Sequence, residues 1–477
     1  MQANTYEMVI GLEVHVELKT RTKIFCGCPT DFDAQPNTQC CPVCMGLPGA
    51  LPVLNASVVS YAARAGLATN CRIANDAIQD RKNYFYPDLP KAYQVSQYDH
   101  PLCEQGWLDI ETEKGAKRIG ITRIHIEEDA GKLMHDDANG TRIDLNRCGV
   151  PLIELVTEPD FRSSAEVRAF LQKLRTILLC IDVSDCRMNE GSMRCDVNLS
   201  VRKAGDTAMG TRTEMKNLNS FAYAVKAVEY EFRRQVEAVE AGEAIVQETR
   251  RFDPATGKTY AMRTKENADD YRYFPDPDLP PVHLTDAEIE ALRQSLPELP
   301  DAKKARFQRD YGLSSYEADT LCANFTMSDM FDAAAPLCRE PSRLWTLLMG
   351  EVARMFPDDE AIVFTPTALA ELSDLVSGGT IHMGATKRVL QELLNGNDQP
   401  TAIVERLGLA QVSDPALLAQ TVQQVLDTNA PLVAAYLGGK DNVLQALMGK
   451  VMSATQGHAN PAMAAEILRE KLFSQKA

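Results

Sequence analysis

One short run near the start of the chain limits the fold more than any other. From Leu12 to Leu18 the residues alternate strictly, with Leu12, Val14, Val16 and Leu18 on one side and Glu13, His15 and Glu17 on the other. A period of two suits a pleated strand and no helix. The pattern returns at Ile121-Thr-Arg-Ile-His-Ile-Glu127, where Ile124 and Ile126 oppose Arg123, His125 and Glu127. Residues 193–201 form a third such strand, with Arg194, Asp196 and Asn198 on one face. Strands with one apolar face and one face of carboxylates, imidazoles and guanidinium groups pack a core on one side and meet water or a ligand on the other.

Helices interrupt this region. Ser163-Ser-Ala-Glu166 reads as a capping box ahead of Val167, Phe170, Leu171, Leu174 and Leu178 at helical spacing. Ser220 precedes Phe221, Val225, Val228, Phe232, Val236 and Val239, with Gly242 as the stop. Segregated strands and helices give an α+β class. A proline-dense stretch, 275–281, and a third cap, Thr285-Asp-Ala-Glu288, lead to Pro297 and Pro300. Beyond them strand patterns largely vanish and Met, Leu and Ala recur at helical spacing. A weaker break lies at 396–400. The expected domains are therefore 1–296, 297–404 and a small helical module at 405–477.

A chain of 477 residues, 45% apolar and 24% charged, can bury a large core. Lys and Arg number 50 against 66 Asp and Glu, a net charge of −16, so bulk charge would not draw nucleic acid; a local basic groove would have to do so. No run of 18 apolar residues occurs, so no membrane span is expected. The first residues lack a basic segment followed by an apolar one, so no secretory signal is expected. With 13 cysteines, many of them single in apolar segments, the reducing cytoplasm is the expected compartment.

Cys26-Gly-Cys28 and Cys41-Pro-Val-Cys44 are two close pairs about a dozen residues apart, the spacing of a four-thiolate zinc site. Four thiolates leave no open position, so such a zinc would be structural. Cys40 is a fifth thiol that leaves the ligand choice open, and free or buried cysteines are the plainer alternative. The acidic constellation is Glu13, His15 and Glu17; His125, Glu127, Glu128 and Asp129; Asp196; and Glu214. Carboxylates converging with an imidazole suit Mg²⁺ and, through it, a nucleotide's phosphates. Solvated strand faces explain the same residues taken singly. Two loops, 81–91 and 270–280, interleave Arg and Lys with aromatics and prolines, as base-stacking segments or pinned surface loops do. Arg194, Arg212 and Lys216 are candidate phosphate contacts. No P-loop, Rossmann, nucleophile-elbow or zincin motif is present, so any ATP site is of an uncommon kind.

The longer strings together resemble one family. Gly11-Leu-Glu-Val-His-Val-Glu-Leu18, Arg81-Lys-Asn-Tyr-Phe-Tyr-Pro-Asp-Leu-Pro-Lys91, Ile126-Glu-Glu-Asp-Ala-Gly-Lys132, Asn146-Arg-Cys-Gly-Val-Pro-Leu-Ile-Glu154, Met193-Arg-Cys-Asp196 and Glu214-Met-Lys-Asn-Leu-Asn-Ser-Phe221 are similar to those of the B subunits of aspartyl/glutamyl-tRNA amidotransferases, the GatB family. The resemblance implies an antiparallel-sheet cradle, then a helical domain, then a tail similar to YqeY proteins. It implies a heterotrimer in which an amidase-type glutaminase (the A subunit) and a small linking protein (the C subunit) join this chain. It implies ATP-dependent phosphorylation of the side-chain carboxylate of Glu-tRNA(Gln) or Asp-tRNA(Asn), then amidation by ammonia. Glu13, His15, Glu128, Asp196 and Glu214 match positions around the family's Mg²⁺, with His125 and Glu127 as neighbours. Lys82, Lys91, Arg194 and Lys216 become candidate contacts to ATP phosphates or the tRNA end. Cys26, Cys28, Cys41 and Cys44 match the zinc-bearing members. The tail departs from the family: two usual lysines are Ser453 and His458 here, and Lys450 adds one. Two other readings stand beside this one. A zinc-bearing, non-catalytic RNA-binding scaffold leaves the clustered carboxylates unexplained, and a metal-dependent hydrolase would need neither glutamine nor ATP.

Overall fold

The computed structural model describes residues 5–474 except 114, 137–139, 265–267, 358–359, 397–398, 412–414, 439, 441 and 456–458, so His458 lies outside the described residues. The chain divides into two compact units, Met1–Pro300 and Asp301–Ala477.

In the first unit the strands that bear on the site are β1 (Tyr6–Glu17), β2 (Arg72–Ile73), β3 (Asp80–Asn83), β4 (Tyr93–Ser96), β5 (Cys103–Thr112) and β6 (Gly115–Glu128). They continue as β7 (Pro151–Thr157), β8 (Met193–Lys203), β9 (Thr213–Leu218), β10 (Glu248–Asp253), β11 (Lys258–Thr264) and β12 (Phe274–Pro275). The helices are α1 (Ala56–Ala68), α2 (Ser164–Cys180), α3 (Phe221–Glu240) and α4 (Asp286–Gln294). Nine strands form the main sheet in the order β11-β10-β9-β8-β1-β7-β6-β5-β2, so the N-terminal strand lies in the interior. Every pairing is antiparallel except β9–β10. A parallel pair needs a crossover, and α3 supplies it between those two strands. A small sheet, β12-β3-β4, joins the two aromatic loops read from the sequence.

The alternation of β1 is realised as expected. Leu12, Val14 and Val16 are buried in one core with Ile124 and Ile126 of β6 and with Val167, Phe170, Leu171 and Leu174 of α2. Helices α2 and α3 pack on each other, α2 also on β5 and α3 on β8, which seals the apolar side. The caps form with one change. Ser163 accepts from the Glu166 N–H at 3.2 Å, but the Glu166 carboxylate turns to the Arg162 N–H at 2.7 Å and to Lys117 of β6 at 2.7 Å. The reciprocal half of the expected box is thus exchanged for an ion pair to the sheet. Ser220 caps α3 through the Tyr223 N–H, and Gly242 follows it at φ +76°. Thr285 and Glu288 make a complete capping box at α4.

The second unit is built of helices, from Pro300–Tyr311 to Pro461–Ser474. It holds two separate apolar clusters. One gathers Phe307, Phe331, Leu344, Leu369, Val389 and Ile403. The other gathers Leu418, Val422, Leu447, Val451, Leu468 and Leu472. A mixed sheet unit followed by helices is the α+β class expected. Among the described residues no helix is long and apolar enough to cross a membrane.

Candidate active site on the polar face of the sheet

Strand register turns scattered residues into rows. Arg194 of β8 lies opposite His15 of β1, His15 opposite Glu154 of β7, and Glu154 opposite His125 of β6. Two residues along, Asp196 lies opposite Glu13. Two residues the other way on β6, Glu127 shares the face of His125. These rows carry two clusters whose ligand atoms all lie within 4.8 Å of one another: His15, Glu127 and Glu154, and Glu13, Asp196 and Glu214.

In the first cluster the Glu154 carboxylate lies 3.5 Å from His15 Nε2 and 3.3 Å from His125 Nε2. His125 Nε2 is also 3.2 Å from Glu127. Glu127 accepts from Ser96 at 2.7 Å and Gln94 at 3.2 Å, both on β4, so the small sheet roofs this end. Lys82 of β3 stands 4.0 Å from Glu127. Burial alone would make His15 less basic, but Glu154 beside it reverses that and raises it to about 9. Burial likewise opposes the charge on His125, and Glu154 and Glu127 raise its basicity. Glu154 is held well below its usual range: burial opposes its charge, and the two imidazoles outweigh that. Glu127 also stays below its usual range, burial being overcome chiefly by Lys82.

In the second cluster Asn198 donates to Glu13 at 2.8 Å and Thr249 of β10 donates to Glu214 at 2.8 Å. Lys216 lies 2.8 Å from Asp196 and 3.4 Å from Glu214. Burial works against its charge, yet the two carboxylates keep it protonated. The register slips between β8 and β9 beside Asp196, where Cys195 opposes Leu218 and Val197 opposes Met215. Such bulges often lie next to active sites. A cavity lined by Gly11, Val156, Pro159, Met209 and Arg212 opens beside Glu13 and Asn198.

The donor sets fit divalent cations. Ligand oxygens about 2.1 Å from Mg²⁺ stand roughly 3–4 Å apart, close to the spacing of each cluster. The set of Glu13, Asp196 and Glu214 brings three carboxylates together beside the ammonium of Lys216, a donor set that suits a cation. The set of His15, Glu127 and Glu154 is more nearly balanced by Lys82 and imidazole protons, which a metal would displace.

Other sequence candidates fall elsewhere. Glu128 follows Glu127 in β6 and belongs to neither cluster. Alternation aims it the other way, where it pairs with Lys91 and accepts from the Val95 N–H at 2.9 Å. Arg194 is engaged by Asp129 at 2.6 Å, with Arg147 at 3.4 Å from the same carboxylate. Burial pushes Glu17 up to about 8, with Asp129 adding to the effect. The two aromatic loops meet each other. Arg81 pairs with Asp276 at 2.8 Å and Asp278 at 2.9 Å, Asn83 donates to the Arg272 carbonyl at 2.8 Å, and Tyr84 meets Tyr271 edge-on at 6.1 Å. Lys82 lies over the Tyr271 ring at 5.1 Å, so these rings wall the first cluster. Phe85 and Tyr86 at the tip are 86% and 50% exposed.

Sequence reasoning misses Glu154, although it bridges both imidazoles. Its signal is a lone carboxylate inside the apolar run Pro151-Leu-Ile-Glu-Leu-Val156, since an interior strand rarely buries an acid without a partner.

The four sulfurs of Cys26, Cys28, Cys41 and Cys44 also lie within 4.8 Å of one another. Thiolates about 2.3 Å from zinc stand roughly 3.8 Å apart, and Cys41 and Cys44 are already at 4.0 Å. The fifth thiol, Cys40, turns to the Asn146 side chain at 3.7 Å. Hydrogen bonding to Cys44 raises Cys26, and burial raises Cys28 to about 11. Cys44 is pushed down to about 4, by its hydrogen bond with Cys26 above all.

Residues 8–290 match the GatB/GatE catalytic domain family, and residues 329–472 match the GatB domain family that carries the Yqey name. The chain is 53% identical over 475 residues to the B subunit of aspartyl/glutamyl-tRNA(Asn/Gln) amidotransferase from Caldicellulosiruptor saccharolyticus, covering 98% of this chain and 99% of that protein. Proteins of the same name from Geotalea uraniireducens and Geobacter sulfurreducens are 52% and 50% identical, with the same coverage. On these matches, which span nearly its whole length, the chain belongs to the GatB family, the B subunits of aspartyl/glutamyl-tRNA(Asn/Gln) amidotransferases.

Proposed function

We propose that the polar face of the main sheet is where this protein activates the side-chain carboxylate of Glu-tRNA(Gln) or Asp-tRNA(Asn). A free carboxylate is a poor acyl donor because oxide is a poor leaving group. Attack by its oxygen on the γ-phosphorus of ATP breaks the bond to ADP and forms an acyl phosphate. Ammonia then attacks the acyl carbon, phosphate leaves, and the amide remains on the tRNA. The step gathers anions, so it calls for cations and fixed dipoles rather than a protein nucleophile. The observation that carries this reading is the convergence of Glu13, Asp196 and Glu214 beside a second set, His15, Glu127 and Glu154.

Each set would hold a divalent ion such as Mg²⁺, which when bound neutralises phosphate charge and orients it. The chain's own groups do the rest. Lys216 and Lys82 stay protonated beside the two carboxylate sets and can turn to phosphate oxygens. His125 holds Glu127 and Glu154 in place. The cavity beside Glu13 would take the nucleoside of ATP, with Arg212 at its wall. Cys26, Cys28, Cys41 and Cys44 would hold a structural zinc. Ammonia would come from the glutaminase (the A subunit), and the small C subunit would complete a heterotrimer in the cytoplasm. The chain would divide as 1–296 for catalysis, 297–404 as a helical domain and 405–477 as a YqeY-like tail toward the tRNA.

The test is ADP release from γ-labelled ATP by the chain assembled with both of its partners. Glu-tRNA, Asp-tRNA and uncharged tRNA are compared, with and without Mg²⁺. ATP cleavage that requires both a misacylated tRNA and Mg²⁺ is expected. Tight tRNA binding without cleavage in the full assembly would refute the reading.

A further inference from the structure

Lys23 has no place in that chemistry, yet it is among the most deeply buried polar residues of the protein, at 0% exposure. An ammonium taken from water needs compensating negative charge or a full set of acceptors. Its hydrogen bonds among the described residues go to two neutral carbonyls, Gln39 at 2.8 Å and Leu145 at 3.5 Å, the latter at the limit of a hydrogen bond. Glu128 lines the same cavity but is already paired with Lys91.

The other chemistry around Lys23 is sulfur. Its backbone N–H donates to the Cys28 carbonyl at 2.9 Å, and the next residue, Ile24, donates to Gly149 at 2.9 Å. The stem therefore rises from the base of the first cysteine turn. A Cβ placed on Gly149 would lie 3.7 Å from Cys44 Cβ and 3.8 Å from Lys23 Cδ, so the lysine stem and the ligand cysteine flank the same glycine. Lys23, Cys26 and Cys44 line one cavity.

We propose that Lys23 is the buried counter-cation of the four-cysteine site, offsetting the charge of a metal held by four thiolates and setting how firmly it is retained. Four thiolates around a divalent ion form a dianion. Cys44 is buried and the other three cysteines are half-buried, so a neighbouring cation offsets that charge where water screens it least. Partners outside the ligand set commonly change metal retention ten- to a hundred-fold. The inference rests on the reading of Cys26, Cys28, Cys41 and Cys44 as a zinc site and adds a residue to it.

The test uses the full chain with Lys23→Met and Lys23→Gln, the second keeping a neutral hydrogen-bond donor. Zinc content is measured first, then zinc transfer to a chromophoric chelator. Both variants should lose zinc about ten- to a hundred-fold more readily than the wild type. In the cobalt-substituted chains the sulfur-to-metal charge-transfer band should move to longer wavelength, because the sulfur electrons lose a stabilising cation. Retention in Lys23→Gln equal to that of the wild type would overturn the proposal, since two hydrogen bonds would then suffice. Misfolding of both variants that saturating zinc does not reverse would also overturn it, because a role through the metal must be compensated by metal. A wild-type chain that binds no zinc would instead remove the site itself, an outcome distinct from a zinc-bearing wild type with indifferent variants.

Discussion

Glu231 on α3 offers a sharp test of how the site is held. It is wholly buried, and its carboxylate accepts from Thr213 at 2.9 Å, Gln235 at 3.0 Å, Thr259 at 2.9 Å and Arg234 at 2.6 Å and 3.0 Å. Arg250 stands 3.4 Å away. Thr213 directly precedes Glu214, and Arg250 directly follows Thr249, the donor to Glu214. The network therefore anchors the two strands behind the second cluster. Glu231→Gln replaces an acceptor by a group that must aim an N–H at other donors. Breaking a buried charge network by removing one partner costs about 3–5 kcal/mol. Arg234 is partly exposed and can turn to water, which favours the lower end, about 3 kcal/mol. The carboxyl lies below its usual range, burial being overcome by the bonds from Arg234 and Gln235. A depressed carboxylate contributes its stability above its unfolded value, near 4.5, and loses it as the pH falls through the lower folded value. The variant should therefore lose stability at pH 7 and show a flatter acid limb below about 4.5. The chain has 2 tryptophans, Trp107 in β5 and Trp345 in the helical unit, so a Trp345→Phe background lets Trp107 report the sheet unit alone in urea unfolding. A loss under about 1 kcal/mol, or an unchanged acid limb, would refute the reasoning.

Further expectations concern the clusters directly. Glu13→Gln and Asp196→Asn should each abolish tRNA-dependent ATP cleavage while assembly with the glutaminase persists; unchanged amidation in both would sink the metal reading. Glu154→Gln should bring the metal-free titration of His15 down from about 9 toward its ordinary 6.5, followed by NMR of the imidazole. A base raised in this way stabilises the fold below about 6.5 and loses that contribution as the pH rises through about 9, so the variant should lack that loss; a midpoint still near 9 would contradict the assignment. Cys41→Ser should lower zinc content and thermal stability more than amidation at permissive temperature, and zinc equal to wild type would count against the four-cysteine site.

Period-two alternation makes β1, β6 and β8 readable because each has one buried and one polar face. It also places Glu13, His15, Glu127 and Asp196 on polar faces before any pairing is known. Register is not readable, since nothing local says which strand lies beside which. That is why one acidic constellation resolves into two clusters and why Glu154, alone in an apolar run, escapes notice. Glu128 illustrates the same limit: neighbouring carboxylates in a strand point to opposite faces, yet their closeness in sequence suggests a common site. Arg194 looks free for a phosphate because its partner, Asp129, lies 65 positions away. The aromatic loops are legible as rigid, but their union through Arg81 and Asp276 depends on contacts 195 residues apart. Proline and capping signals mark the passage to helices, whereas the Glu166 side chain answers to Lys117, a residue no cap rule considers.

The interior position of β1 has a consequence for biosynthesis. Its partners β7 and β8 end at Thr157 and Lys203, so the first strand made is among the later ones to be enclosed. At about 5–20 residues per second, the ribosome takes roughly 10–40 s to travel from residue 17 to residue 203. Until Thr157 is made, this strand with its apolar face has two unpaired edges, and until Lys203 is made it keeps one, the situation most prone to mispairing with other nascent chains. Its alternate Glu13, His15 and Glu17 place charge along the opposite face. These groups thus serve as gatekeepers, keeping the newborn strand soluble until its neighbours arrive.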